Sequence, residues 1–86
     1  MHRILWTKHA IQRQADWEKK LGITKEEVEE ILQGSRHVVE GDLEVRVAQS
    51  LRSNGIVRIP FVESKGTRKV ITVYWTSKVE KYWKEK

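Results

Sequence analysis

Few side chains in this sequence have the right type and spacing for chemistry, and the first two sit close together. His9 and Arg13 are four residues apart, so on a helix they stand one turn apart and point the same way. Cutting RNA without a metal needs a base for the 2′-hydroxyl, a cation for the charge that develops on phosphorus, and an acid for the departing 5′-oxygen. An imidazole ordinarily titrates near neutrality and can act as either base or acid, which makes His9 the candidate for proton transfer. The planar fork of Arg13 can hold a phosphate with two parallel donors. The competing reading is a solvated helix face on which Asp16, three residues on, pairs with Arg13.

A second set lies further along the chain: Arg46, Arg58, Arg68, Lys69 and Lys78, with Tyr74 and Trp75 among them. Basic side chains beside aromatic rings suit single-stranded RNA, since charge holds the backbone and rings stack bases. The charge distribution supports this. Residues 1–43 carry 7 basic and 8 acidic side chains, whereas residues 44–86 carry 10 basic and 4 acidic, so the net charge of +5 comes from the second half. With a sequence pI near 9.7, the chain favours polyanionic partners. If strands 44–51, 56–63 and 67–75 are neighbours, Arg46 and Arg58 share a face with Tyr74. The plainer alternative is a solvated sheet face whose Lys and Arg discourage edge pairing.

Other chemistries lack their residues. Cysteine is absent, which removes disulfides, thiolate nucleophiles and Cys-based zinc sites. His2, His9 and His37 are scattered without metal-ligand spacing, and there is no Gly-rich phosphate loop or nucleophile elbow, so neither metal nor cofactor is expected. The opening residues Met1–Lys8 are too short and polar for a signal peptide, and no apolar run approaches the ~20 residues of a membrane span. No membrane association and a cytoplasmic location are the expectation. Four Trp in 86 residues is a high count, and with one Phe and one Met most of them must serve the core.

The elements that would position these groups can be read from caps, periods and turns. Residues 3–6 form a short strand or an extended lead-in. Thr7 caps a helix over 8–20, with Ile11 and Ala15 on its buried side and His9, Arg13, Asp16 and Lys20 on its polar face. Gly22 lets the chain turn, and Thr24-Lys25-Glu26-Glu27 is a capping box with Ile23 and Val28 as its hydrophobic staple. Val28, Ile31 and Leu32 then give one apolar stripe ending at Gly34. From Arg36 the period becomes two: a strand at His37–Glu40, a turn at Gly41-Asp42, weak alternation over 43–51, and a hairpin signal at Ser53-Asn54-Gly55. The next strand, 56–63, carries Val57, Ile59 and Phe61 on one face and Arg58 on the other. Lys65-Gly66 is a second tight turn. Strand 67–75 places Ile71, Val73 and Trp75 opposite Val70, Thr72 and Tyr74. Pro60 conflicts with a central strand, so a bulge or an end of pairing is expected there. Ser77-Lys78-Val79-Glu80 reads as a capping box opening a short helix with Val79, Tyr82 and Trp83 inward. The expected fold is α+β, one domain over residues 1–86: an N-terminal helical hairpin on a twisted, three- to four-stranded antiparallel sheet, with a short C-terminal helix.

Taken together, Thr7-Lys8-His9-Ala10, Arg13, Leu21-Gly22-Ile23-Thr24-Lys25-Glu26-Glu27-Val28, and the pairing of Arg58 with Val70-Ile71-Thr72-Val73-Tyr74 resemble a family of small uncharacterised domains. That family is similar to the RelE/ParE and BrnT toxin-like superfamily. The resemblance implies a RelE-like fold and metal-independent RNA cleavage, sometimes on ribosome-associated mRNA, with an acidic antitoxin protein masking the basic face. It implies that His9, Arg13, Arg58 and Tyr74 are the catalytic candidates. Arg46, Arg68, Lys69 and Lys78 are the RNA-binding candidates, Lys78 from charge and position alone. The expectation is a toxin-like RNA-binding protein with ribonuclease chemistry. The alternatives are a non-catalytic module for nucleic acid or for a protein partner, and an exposed strand edge allows a homodimer.

Overall fold

A computed structural model of the chain describes residues 3–34, 38–40 and 44–83, so the expected strand start at His37 and the turn at Gly41-Asp42 lie outside the described residues. The elements in chain order are β1 (Arg3–Trp6), α1 (Lys8–Leu21), α2 (Lys25–Gln33), β2 (Val38–Glu40), β3 (Arg46–Arg52), β4 (Gly55–Ser64), β5 (Thr67–Val70), β6 (Tyr74–Thr76) and α3 (Val79–Tyr82).

Both long helices start where their caps predict. The Ala10 amide donates to Thr7 Oγ1 at 3.1 Å, and the Glu27 amide donates to Thr24 Oγ1 at 3.1 Å. The capping box is only half formed, because the Glu27 carboxylate accepts from Arg52 Nε at 2.5 Å instead of reaching back to its own helix start. Gly22 closes α1 at φ 71°, the left-handed value that a Cβ disfavours. The buried face of α1 is one residue away from the expected one. Ala10 and Gln14 are buried, Trp17 and Leu21 pack against the core, and Ile11 is 47% exposed. Trp17 and Leu21 fall in line with Ala10 at helical spacing. Gln14 is tolerated in that line because its amide donates to the Ile23 carbonyl at 2.9 Å and to Glu18 at 2.8 Å.

The sheet is larger than expected and is mixed. Among the described residues, six strands run in the order β1-β5-β4-β3-β2, with β6 also on β4, and β1 lies parallel to β5 while every other pair is antiparallel. The first four-residue strand thus joins the edge of a hairpin more than sixty residues away, a long-range pairing that no local signal announces. The hairpin of α1 and α2 is also corrected: α1 lies over β6 and α2 over β3, so the helices cover separate parts of one sheet face. At the other end, α3 is a single turn beginning at Val79, with no side-chain cap from Ser77.

Two tight turns set the registers. Ser53 and Asn54, at φ 50° and 61°, join β3 to β4, and Lys65 and Gly66, at φ 48° and 78°, join β4 to β5. Gly55 therefore sits in strand rather than at a positive φ. Its role is space, since a Cβ there would lie 2.4 Å from Trp75 Cε2. Pro60 is accommodated by a bulge. Phe61 pairs with Val70, but Arg58 pairs with Tyr74 and not with the residue before it, so the partner strand carries one extra residue across 71–73. The Pro60 carbonyl accepts from the Ile71 amide at 2.9 Å, which shows that the missing Pro60 donor also faces this bulged edge.

The core lies between one sheet face and the two helices. It joins Ala10, Ile23, Val28 and Leu32 to Ala48, Val57, Ile59, Phe61, Val70 and Val73. Fully burying a side chain such as Phe61 or Ile59 contributes about 1.5–3 kcal/mol. No helix among the described residues is long and apolar enough to cross a membrane.

Candidate nucleic-acid interface

Alternation along β4 turns Val57 and Ile59 into the core, so Arg58 points out of the other sheet face. The register then sets its neighbours. Gln49 of β3 stands on one side of Arg58 and Tyr74 of β6 on the other, giving a row of three polar side chains across three strands. Tyr74 belongs to this row only because of the bulge. Strict alternation would place it on the same face as Val70, which instead faces the core beside Phe61. Lys69, the partner of Val62 in the regular register before the bulge, also lies on the Arg58 face.

Among the described residues, the guanidinium of Arg58 is held by neutral groups. Its Nε donates to Gln49 Oε1 at 2.8 Å and its Nη1 donates to the Tyr74 hydroxyl. Its Cζ sits 4.0 Å from the centroid of the Tyr82 ring and 5.6 Å from that of Tyr74. Gln49 is only 3% exposed, and its amide also donates to the Tyr82 carbonyl at 3.2 Å, which ties α3 down over this face. Cation–π contact of this kind contributes about 0.5–2 kcal/mol, depending on how much water is excluded. Among the described residues no carboxylate comes within ion-pair distance of Arg58. The arrangement fixes the fork while leaving its charge uncompensated and several N–H donors available, which is what an anionic ligand needs.

Two other arginines are neutralised. Arg52 pairs with Glu27 at 2.5 Å and donates to the Gly22 carbonyl at 3.3 Å, clasping the β3–β4 turn to the helix connection. Arg68 pairs with Glu63 at 2.9 Å, donates to the Leu32 carbonyl at 2.6 Å, and lies 4.8 Å from the Phe61 ring centroid. These contacts make Arg68, expected to bind RNA, a strut between the sheet and the end of α2.

The remaining candidates are dispersed. His9 and Arg13 are exposed on α1, in the helical layer on the far side of the sheet from the Arg58 row. Arg13 approaches Asp16 at 4.0 Å with both side chains 55% exposed, a loose surface pair. Arg46 pairs in register with Phe61 and shares the face of Ala48, so it does not join Arg58 and Tyr74. The expected common face fails because 46 and 49, the partner of 58, differ by an odd number of residues on one strand. Lys78 is exposed at the start of α3. Among the described residues no cluster of His, Asp and Glu could hold a metal ion.

Sequence reasoning passed over Gln49 and the role of Tyr82. Gln49 had a signal: it is the polar residue between Val47 and Leu51, at a position alternation assigns to their face. For Tyr82 the helical pattern indicates only an inward position, not a ring over Arg58. No family model matches the chain, and neither a curated protein nor a solved structure matches it.

Proposed function

We propose that this chain is an RNA-binding module that contacts the single-stranded backbone with the sheet face bearing Arg58. One observation carries it: Arg58 is oriented by Gln49, Tyr74 and Tyr82 with no carboxylate in ion-pair distance among the described residues, while Arg52 and Arg68 are both acid-paired. Orienting a partly buried cation with neutral partners leaves its charge for a ligand, and a phosphodiester matches the bidentate fork. Lys69 lies on the same face, Lys78 leads into α3, and residues 44–86 carry the whole positive excess. The tyrosine rings are of the kind that stack on bases. No cleavage step is included, because His9 is an exposed residue of α1, in the helical layer on the other side of the sheet from Arg58.

Fluorescence anisotropy with a labelled single-stranded oligoribonucleotide tests it. The expected result is affinity that falls with salt, loses at least about tenfold on Arg58→Gln, and yields no cleavage product with either protein. RNA affinity equal for wild type and Arg58→Gln overturns the proposal, as does a clear preference for an acidic polypeptide over RNA.

A further inference from the structure

Tyr82 contacts two cations. The Arg58 guanidinium carbon lies 4.0 Å from its ring centroid and Lys81 Nζ lies 5.3 Å from the same point. The two positive groups are therefore no farther apart than those two distances combined. Neither has a carboxylate within ion-pair range among the described residues, even though Glu80 is adjacent in the chain. Two cations within that span of one ring can both approach one bound anion. The ring sits on α3, and α3 is held to this place by the buried Gln49, which bonds Arg58 with its carbonyl oxygen and the Tyr82 main chain with its amide. One side chain thus orients both the cation and the element that faces it.

We infer that α3 completes the anion site rather than covering it: Lys81 is a second phosphate-contacting residue, and Tyr82 is the positioning ring that sets Arg58 and Lys81 around one stretch of phosphodiester backbone. This deepens the RNA-binding reading and rests on it. Gln49 is the positioning residue that couples the sheet half of the site to the helical half.

The test uses the full chain, a labelled single-stranded oligouridylate, and affinity measured across a salt series. Lys81→Gln removes an exposed charge that has no ion pair among the described residues and touches the Tyr82 ring, and is expected to weaken binding and reduce the magnitude of the salt slope by about one. Tyr82→Ala is expected to weaken binding at least about fivefold, and Tyr82→Phe to retain most of it, because the ring and not the hydroxyl faces the cations. Thermal unfolding of each variant confirms that the fold persists. If Tyr82→Ala binds more tightly, α3 is a cover and the inference is overturned. An unchanged salt slope in Lys81→Gln overturns it too, even if Tyr82→Ala cannot fold. Should Arg58→Gln lose binding while Lys81→Gln and Tyr82→Ala do not, only the role of α3 is wrong. If Arg58→Gln binds like wild type, the RNA-binding reading fails and this inference goes with it.

Discussion

Arg68 and Arg58 stand on neighbouring strands of one sheet, yet the two faces use them differently. On the helix-covered face, Arg68 has a carboxylate, a helix-end carbonyl and an aromatic ring as partners, and its side chain is 12% exposed. On the opposite face, Arg58 has an amide, a hydroxyl and two rings, and no acid among the described residues. The first arrangement cancels charge and gives the Leu32 carbonyl at the end of α2 a donor. The second leaves charge standing in a fixed orientation. A guanidinium is therefore not informative by residue type. Whether its partners are charged decides whether it serves the fold or a ligand.

That contrast can be broken by substitution. The largest expected effect is on the core face: Phe61→Ala should cost about 3–5 kcal/mol in denaturant unfolding, since the ring is fully buried in the core. A loss below about 1 kcal/mol would mean the helices do not depend on that face. Gly55→Ala should cost about 1–3 kcal/mol, because the new Cβ meets the Trp75 ring and the Thr76 carbonyl at 2.4 and 2.5 Å. Arg68→Ala should cost about 1–3 kcal/mol of stability while leaving RNA affinity close to wild type. The reverse pattern, stability kept and affinity lost, would erase the distinction between the two arginines. Thr24→Ala should cost about 1 kcal/mol by removing the α2 cap, read as a lower midpoint of thermal unfolding. The smallest effect is expected at His9, where His9→Ala should change stability by under about 0.5 kcal/mol and leave RNA binding as it was. A large loss of binding in His9→Ala would show that the α1 surface takes part in recognition.

Much of the fold was legible because its signals are local. Thr7 and Thr24 cap helices where their hydroxyls can reach an amide three residues on, and Lys65-Gly66 turns where positive φ is allowed. The conflict at Pro60 was legible too, since proline lacks a donor in any strand. Arg58 opposite Val57 and Ile59 followed from alternation. Illegible were the features that depend on partners far away in the chain. The parallel edge strand β1 needs β5 to exist first. The buried side of α1 was misread by one residue, because Gln14 becomes acceptable only when the Ile23 carbonyl receives its amide.

By itself the sequence determined the helix starts, the tight turns, the polarity of β4 and the basic second half, all interactions within a few residues or sums over composition. Tertiary structure alone decided which cations share a surface. One inserted residue opposite Pro60 shifted the register, bringing Tyr74 to the face that Arg58 shares with Lys69, and the order of strands and helices left His9 in the opposite layer. The physical reason is that side chains alternate with a period of two along a strand. A single-residue slip therefore reverses which face every later side chain occupies, and that slip is set by hydrogen bonds between strands and not by the residues along one of them.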